Sequence, residues 1–463
     1  MISMDKRHGC WRGGGGGMNP GERAEWTMAA LILGGLAYCV WHVTIWGYLP
    51  APFFYEPSDV FADWFNPAIW ARNPGTYDAW LSIYPPLSFV LLKLFGIDSC
   101  YAIRGEWDAG SGLAARDCDW VGLACIFGLY LLNVWLCWKS FAKMEPRTAL
   151  PRTICVGLGM PMLCGLERGN LILLAFPAMV LAFGPVLRNV RLKALAAGFA
   201  VNLKVYLIGS IFGLLLVRRW ARAEAALLAA VVVYLVSYAM LGRGSPVEIV
   251  ENVRSFGKLQ PANILDVWYS TTYQTFVALL EGDNFPLVGI LGSRVVEGLA
   301  MLLPALQQFT QLLIVLAAAA TWLRPEAVPP FRAVNLGMTM ALISSEPGAY
   351  AQVLLLYFVM LEARRGVGRS WAIFMCYLLA VPLDIPLDRM AEVPRDSYFT
   401  GSTVMVTYQV VLGSFVRPLM IMTVAWGLSG ETIRAVLADI RAGGWAQPRR
   451  FVRLPYRHRA GRS

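Results

Sequence analysis

Charged residues are scarce in this sequence. Asp, Glu, Lys and Arg make up 15% of its 463 residues, whereas soluble domains carry about 25%. Hydrophobic residues make up 57%, and apolar runs close to the roughly 20 residues that cross a bilayer recur along the chain. The clearest are Thr27–Trp46, Trp120–Trp138, Ala223–Leu241 and Leu302–Leu323. This excludes a string of soluble domains and predicts an all-α polytopic protein of the lipid bilayer, with about 11 to 13 transmembrane or half-membrane helices.

Histidine is also rare. Only three are present, and no Cys/His spacing resembles a zinc site. We therefore predict no metal ion and no cofactor. The formal net charge of +10 does not indicate a nucleic-acid partner, because no nucleic-acid-binding motif occurs. The basic residues gather at the ends of apolar runs, which follows the positive-inside rule instead.

The charge distribution predicts three parts and one orientation. Residues 1–25, with a run of five glycines, are expected to form a disordered cytoplasmic tail. Residues 26–430 form the membrane domain, and residues 431–463, with seven arginines from Arg441 onward, form a basic cytoplasmic tail. The first helix then delivers the polar segment Pro57–Phe89 to the periplasm, which makes this a multi-pass inner-membrane protein.

Nine cysteines are present, and most lie inside apolar runs. Cys100 and Cys118 differ because they bracket a polar loop, SCYAIRGEWDAGSGLAARDC. If that loop faces an oxidising periplasm, the two can form a disulfide. Two free thiols are the alternative.

Three apolar segments have basic residues at both ends and polar residues in the middle. They are Thr153–Leu187, Ala194–Val217 and Ala333–Ala363. Each half holds about 11 to 18 residues, or roughly 16 to 27 Å of helix, mostly short of a 30 Å hydrocarbon core. We expect hairpins whose polar tips line a cavity open to the periplasm. The alternative is that some of these pairs are ordinary spans with short connections.

The polar segment Pro57–Phe89 is rich in acids and aromatic residues. It contains Asp59 and Asp63, five Trp or Tyr side chains, and Tyr84 followed by Pro85 and Pro86. The aromatic residues could bind a sugar, but an interfacial belt is the favoured interpretation.

These motifs together resemble glycosyltransferase family 87, the DUF2029 enzymes that include polyprenol-phosphate-mannose-dependent α-mannosyltransferases. The resemblance rests on the loop from Asp59 to Tyr84-Pro85-Pro86-Leu87, then on GLERGNLILLAF, AGFAVNLKVYLIGSIFGLLLVRRW and the SSEPGAY tip. The AGFAVNLKVYLIGSIFGLLLVRRW segment lacks a proline after Tyr206, and the tip lacks the family's Trp and His.

The resemblance implies a GT-C fold with its active site on the periplasmic face. It further implies that a sugar, mannose in the better-known case, moves with inversion from a polyprenyl-phosphate donor to an envelope glycan or glycolipid acceptor. Asp59 matches the position of the family's acid. An acceptor hydroxyl needs a base, which Asp59 or Asp63 could supply; the alternative for each is a solvated loop acid or a helix cap.

Cations at the predicted tips could stabilise the leaving phosphate. Lys204 and Arg168 are the candidates, although Lys204 could reach the interface instead and Arg168 could pair with Glu167. Arg417, in the last apolar run, could contact substrate or pair with Asp384 or Asp388. The remaining predicted substrate-binding residues are Glu167, Asn170, Tyr84 and Glu346.

Two other classes of function fit parts of the pattern. A secondary transporter or flippase also uses broken helices with charged residues near the midplane. A non-catalytic scaffold of an envelope-polysaccharide complex is the second alternative. A transporter should tolerate Asp59→Asn if another acid couples transport, whereas a transferase with Asp59 as its base should not.

Overall fold

The computed structural model describes residues 18–53, 56–101, 111–259, 270–274, 276–277, 292–345 and 347–444. The long helices are α1 Pro20–Trp46, α5 Trp120–Met144, α11 Trp220–Leu241, α13 Ser293–Leu323 and α17 Leu412–Gly443. Between α1 and α5 lie α2 Ala62–Trp70, α3 Pro86–Leu94 and α4 Ser111–Ala114. The remaining helices are α6 Ala149–Gly157, α7 Met160–Glu167, α8 Ile172–Phe183, α9 Val190–Leu203, α10 Ile208–Leu216, α12 Pro246–Leu259, α14 Pro330–Ser345, α15 Gln352–Met360 and α16 Val367–Ala380.

The chain is a helical membrane protein. Among the described residues, five helices are long and apolar enough to cross a bilayer, and the bent pair α6–α7 makes a sixth if it counts as one span. Six shorter helices, α8, α9, α10, α14, α15 and α16, have 9 to 16 residues each. The described residues thus contain five or six helices that could cross a bilayer alone, and the total of 11 to 13 transmembrane or half-membrane helices stays a prediction.

Three helix–break–helix hairpins form where the sequence predicts them. Helices α6–α7 and α8 are separated at residues 168–171, and α9 and α10 at 204–207. The described residues between α14 and α15 are 347–351. We call these breaks the first, second and third tips. Helix α8, with 12 residues, spans about 18 Å at 1.5 Å per residue, so it is too short to cross the hydrocarbon core alone.

The first and third hairpins return to the end of the bundle from which they start. Lys143, at the end of α5, donates from Nζ to the carbonyl of Val186 just after α8, at 3.2 Å. Arg332, near the start of α14, forms two hydrogen bonds of 2.5 and 2.6 Å with Glu362 just after α15. We call this end of the bundle the basic end.

The second hairpin also has both of its ends at the basic end. Lys193, near the start of α9, donates to the carbonyl of Gly184 after α8, at 2.9 Å. Arg218, which follows α10, donates to the carbonyl of Trp322 in the last turn of α13, at 2.8 Å. All three hairpins therefore enter and leave at one end of the bundle, as predicted.

The membrane domain extends beyond both predicted boundaries. Helix α1 begins at Pro20 because Asn19 and Glu22 form a reciprocal capping box, with bonds of 2.9 and 3.0 Å. Glu25 is buried and pairs with Arg152 at 2.9 Å. Helix α17 continues past 430, and its buried Glu431 accepts the Gly368 amide at 3.2 Å. Residues 20–25 and 431–443 thus belong to the packed bundle; 1–17 and 445–463 lie outside the described residues.

One β-hairpin interrupts the otherwise helical structure of the described residues. Strands β1 Pro386–Asp396 and β2 Thr403–Val411 are antiparallel, paired from Pro386 with Val411 to Asp396 with Thr403. The prediction of an all-α chain is confirmed for the helical bundle, and this two-stranded hairpin is an addition that the prediction did not include. Strand β2 reads TVMVTYQVV, and its β-branched residues favour extended backbone.

Cys100 and Cys118 form a disulfide, with their Cα atoms 5.6 Å apart. Asp119, next to Cys118, caps α5 by accepting the Gly122 amide at 3.0 Å, and it accepts the Tyr101 hydroxyl. The bridge therefore joins two segments that also contact each other through buried polar groups.

Removing this disulfide should lower the free energy of unfolding. The Cys100→Ser, Cys118→Ser double variant frees a loop of 18 residues, which costs about 3 kcal/mol on the chain-entropy estimate. Denaturant unfolding in detergent micelles measures the change. Cys125→Ser, which alters a free cysteine, is the control, and equal stability of the wild type and the double variant would contradict the prediction.

Candidate functional site

The first polar loop is built onto the first hairpin tip. The amide of Phe61 donates to the carbonyl of Glu167 at 2.7 Å, and the amide of Asp63 donates to that of Arg168 at 2.9 Å. Phe61 has φ 65°, an uncommon left-handed conformation, at the residue preceding α2. Gly169 has φ 61°, and a Cβ there would approach the Cα of Phe61 to 3.1 Å. This close approach places α2 directly against the tip.

The loop and the tip share an ionic cluster. Arg168 places Nη2 2.8 Å from Asp63 Oδ1 and Nη1 3.6 Å from Asp59 Oδ2. Asn170, which is fully buried, donates from Nδ2 to Asp63 Oδ2 at 2.6 Å. Both oxygens of Asp63 are therefore hydrogen-bonded. This arrangement makes Asp63 an anchor of the cluster.

Asp59 is the more accessible carboxylate of the two. Its side chain is 35% exposed, against 23% for Asp63. Burial raises the pKa of Asp59 above its ordinary value; the guanidinium of Arg168 opposes this rise, while Glu56 and Asp63 add to it. A carboxylate with a raised pKa and an accessible oxygen suits proton acceptance.

Lys204 forms the second hairpin tip. The residue is extended, with φ −142° and ψ 107°, and ends helix α9. Its ammonium lies 4.7 Å from the ring centroid of Tyr84 and 5.2 Å from that of Tyr350, and the residue is 7% exposed. Within the described ranges no carboxylate lies within 4 Å of Nζ. Among the described residues the cation thus contacts two aromatic faces and forms no ion pair with an acid, although Asp63 acts on it electrostatically.

The third tip contributes Tyr350, which the sequence analysis did not select. The hydroxyl of Tyr350 forms a hydrogen bond with the side chain of Asn170, and Asp63 and Arg168 act on it electrostatically. Tyr350 therefore contacts the first tip through its hydroxyl and the second tip, at Lys204, through its ring. The only sequence signal was its position in the SSEPGAY segment. Glu346 of the same segment, a predicted substrate ligand, lies outside the described residues.

Two predicted cations are engaged by acids. Arg168 pairs with Asp59 and Asp63 and so holds the two carboxylates, while its predicted role as a phosphate ligand stays a prediction. Arg417 pairs with Asp384, and the side chains are only 8% and 5% exposed. This pair with a buried carboxylate from the segment before β1 is one of the two alternatives given for Arg417, and its contact with substrate stays a prediction.

Of the remaining predicted substrate-binding residues, Glu167 contributes a backbone contact to the site, and Tyr84 contributes both its ring and its carbonyl. Glu167 is buried, and its carbonyl anchors Phe61. Tyr84 supplies a ring face to Lys204, and its carbonyl accepts the Tyr77 hydroxyl at 2.8 Å. Trp64 is fully buried and Tyr77 nearly so, which corrects their predicted place in an interfacial belt.

A cavity of about 470 Å³ lies at the basic end, away from this cluster. Most charged side chains in its wall are paired: Arg332 with Glu362 at 2.5 Å, and Arg369 and Arg434 with Glu431 at 3.6 and 3.2 Å. We therefore do not assign it to the candidate site. In the part of the chain that the structure describes, no group of three or more His, Cys, Asp or Glu residues could hold a metal ion.

Comparisons with known proteins add no identification. No family model matches the chain, no curated protein matches it, and no solved structure matches it. The likeness to glycosyltransferase family 87 therefore remains a resemblance carried by the quoted motifs.

Proposed function

We propose that the chain is a membrane glycosyltransferase that moves a sugar from a polyprenyl-phosphate carrier to an envelope glycan or glycolipid. The observation that supports this best is the convergence of Asp59, Arg168, Lys204 and Tyr350, which come from one loop and three hairpin tips. A carboxylate with an accessible oxygen and an ammonium without an acidic partner are thereby placed in one site.

Asp59 is the proposed general base. In the proposed step, its carboxylate takes the proton of an acceptor hydroxyl while that oxygen attacks the anomeric carbon. The bond from the anomeric carbon to the phosphate oxygen breaks, and its electron pair leaves with polyprenyl phosphate. A single displacement of this kind inverts the anomeric configuration. Asp63 is less suited, because Arg168 and Asn170 occupy both of its oxygens.

Lys204 is the proposed ligand of the leaving phosphate. Negative charge grows on the phosphate as the glycosidic bond breaks, and a fixed cation stabilises that charge most strongly where water is excluded. The aromatic rings of Tyr84 and Tyr350 hold the ammonium without cancelling its charge. Arg168 acts differently, by holding the two aspartates in place.

The protein's placement follows from the same proposal. The chain lies in the inner membrane as a multi-pass protein with both termini in the cytoplasm, and the basic end faces the cytoplasm. The loop carrying Asp59 faces the periplasm, where the Cys100–Cys118 disulfide is stable. The polyprenyl chain of the donor lies in the bilayer.

A secondary transporter or flippase of lipid-linked or small polar substrates is the second candidate. Charged residues at breaks in membrane helices, Arg168 and Lys204, favour it. The experiment that separates the two uses purified protein in lipid nanodiscs with radiolabelled polyprenyl-phosphate mannose and an envelope-glycan pool. Labelled glycan supports the transferase. No label transfer from mannose or any other polyprenyl-linked sugar, together with uptake or flipping in proteoliposomes, contradicts it.

If Asp59 is the base, activity should be lost at a higher pH than the ordinary pKa of an aspartate would give. Its pKa is raised by burial, and only the ionised form accepts a proton, so activity is lost as pH falls through that raised pKa. We expect the acid limb of kcat/KM to lie above about pH 3.9, the ordinary value for aspartate. Transfer assays across a pH series measure it. An acid limb at or below the ordinary value would contradict Asp59 as the base.

A further inference from the structure

A second arginine holds the backbone on both sides of Asp59. Arg116 lies in a short 3-10 helix, Ala115–Asp117. Its Nη1 donates to the carbonyl of Ser58 at 2.9 Å and to that of Val60 at 2.6 Å. One guanidinium nitrogen thus bridges the residues before and after the proposed base.

Tyr398, in the turn between β1 and β2, contacts both Arg116 and the loop that carries Asp59. The guanidinium of Arg116 lies 3.9 Å from the ring centroid of Tyr398. The amide of Tyr398 donates to the carbonyl of Pro57 at 3.1 Å, and its ring packs edge-on against Phe61 at 5.9 Å. Residues 57–61 are therefore held between Arg116, Tyr398 and the first hairpin tip.

The backbone around Arg116 is fixed in turn by its neighbours. Helix α4 packs on α2 so closely that a Cβ on Gly112 would lie 2.8 Å from the Cα of Asn66. Two residues after Arg116, Cys118 is joined to Cys100. The disulfide therefore limits how far the segment that carries Arg116 can move from Cys100.

We propose that Arg116 is a positioning residue for Asp59 and that the Cys100–Cys118 disulfide keeps it in place, so that reduction lowers the activity of the site. The effect on activity rests on the proposed transferase function. Reduction here means that an added dithiol supplies two electrons and two protons, which turn the disulfide into two thiols while the dithiol is oxidised.

The pH dependence of kcat/KM separates a positioning role of Arg116 from a merely structural one, because a merely structural role would not change the electrostatic surroundings of Asp59. Arg168, Glu56 and Asp63 face Asp59 from the first tip and its own loop, and Arg116 interacts with it from the disulfide segment. Removing the positive charge of Arg116 therefore raises the pKa of Asp59 further. The acid limb of kcat/KM should move to higher pH in Arg116→Gln.

The test compares Arg116→Gln with Arg72→Gln. Arg72 is a matched control because its guanidinium lies 4.2 Å from the ring centroid of Tyr101 and donates to the carbonyl of Ala68 at 2.9 Å, yet it does not contact residues 57–61. We expect Arg116→Gln to lower kcat by about 10- to 100-fold with the donor KM little changed, since a displaced base costs rate more than binding. Arg72→Gln should leave kcat and the acid limb unchanged.

Amide hydrogen exchange tests the contact without any substrate. In Arg116→Gln, the amides of residues 59–63 should exchange about tenfold faster than in the wild type, because their anchoring contact is lost. Dithiothreitol treatment and the Cys100→Ser, Cys118→Ser variant should produce the same change to a smaller degree. Arg116→Lys, which keeps the charge, should restore the pH profile but not the slow exchange.

The two proposals fail in different ways. If the wild type transfers no sugar, the transferase function is contradicted, and exchange alone decides whether Arg116 holds the loop. If the wild type is active while Arg116→Gln and the reduced protein keep its rate, pH profile and exchange, the positioning role is overturned.

Discussion

Replacing Asp59 by Asn should lower kcat for sugar transfer by about 10²- to 10⁴-fold, the usual contribution of a general base. The amide keeps the size of the side chain but cannot take the hydroxyl proton. Because the contact of Asp59 with Arg168 is the longer of the two that Arg168 makes with the aspartates, at 3.6 Å, the variant should fold with little change in stability. Transfer of labelled sugar in nanodiscs measures the rate, and thermal unfolding checks the fold.

Two further variants make this result specific. Asp78→Asn changes an exposed acid of the same loop and should leave kcat unchanged. Asp63→Asn should weaken the pair with Arg168 and lower stability as well as rate. If Asp59→Asn keeps the wild-type rate while Asp63→Asn abolishes transfer with its fold intact, Asp63 is the base and the assignment made here is wrong.

Lys204→Met should have the second largest effect, a loss of about 10²- to 10³-fold in kcat, the range found when one transition-state contact to a developing anion is removed. Methionine keeps much of the apolar stem between Tyr84 and Tyr350 but removes the charge. The loss should be greater for kcat than for donor binding, because the phosphate gains charge as the bond breaks. Steady-state kinetics with varied donor separate the two.

A lysine on the same helix provides the control. Lys193 lies near the start of α9 at the basic end and donates to the carbonyl of Gly184, so Lys193→Met should leave the kinetic constants unchanged. Lys204→Arg should recover part of the activity, since the positive charge is kept while the larger, planar guanidinium presents it in a different geometry. Wild-type kinetics in Lys204→Met would show that the ammonium only packs against the rings.

The three hairpins could be predicted from two local properties of each segment: the basic residues at its ends and the length of its two halves. Basic residues at both ends of a segment favour one side of the membrane, and halves of about 11 to 18 residues are mostly too short to cross it. Polar residues such as Asn170 and Lys204 are costly at membrane depth unless they meet other polar groups or a cavity. The breaks therefore fell where the sequence placed them.

Pairings between distant residues could not be predicted in the same way. Asp63 and Arg168 are 105 residues apart, and the sequence offered Glu167 as the nearer partner of Arg168. Arg417 had two candidate acids, and only the folded chain selects Asp384. The positions of Tyr350 and Arg116 had no separate signal, because neither residue type is unusual in its segment.

The sequence by itself determined that this is a helical membrane protein with three broken hairpins and an acidic first loop. Those properties follow from the transfer cost of charge and from helix length, both of which are local along the chain. Only the tertiary structure decided which carboxylate is left accessible, which cation is left without an acidic partner, and what holds the loop. Each of these depends on distances between elements that are far apart in the sequence, and electrostatic interactions and hydrogen bonds weaken steeply with distance.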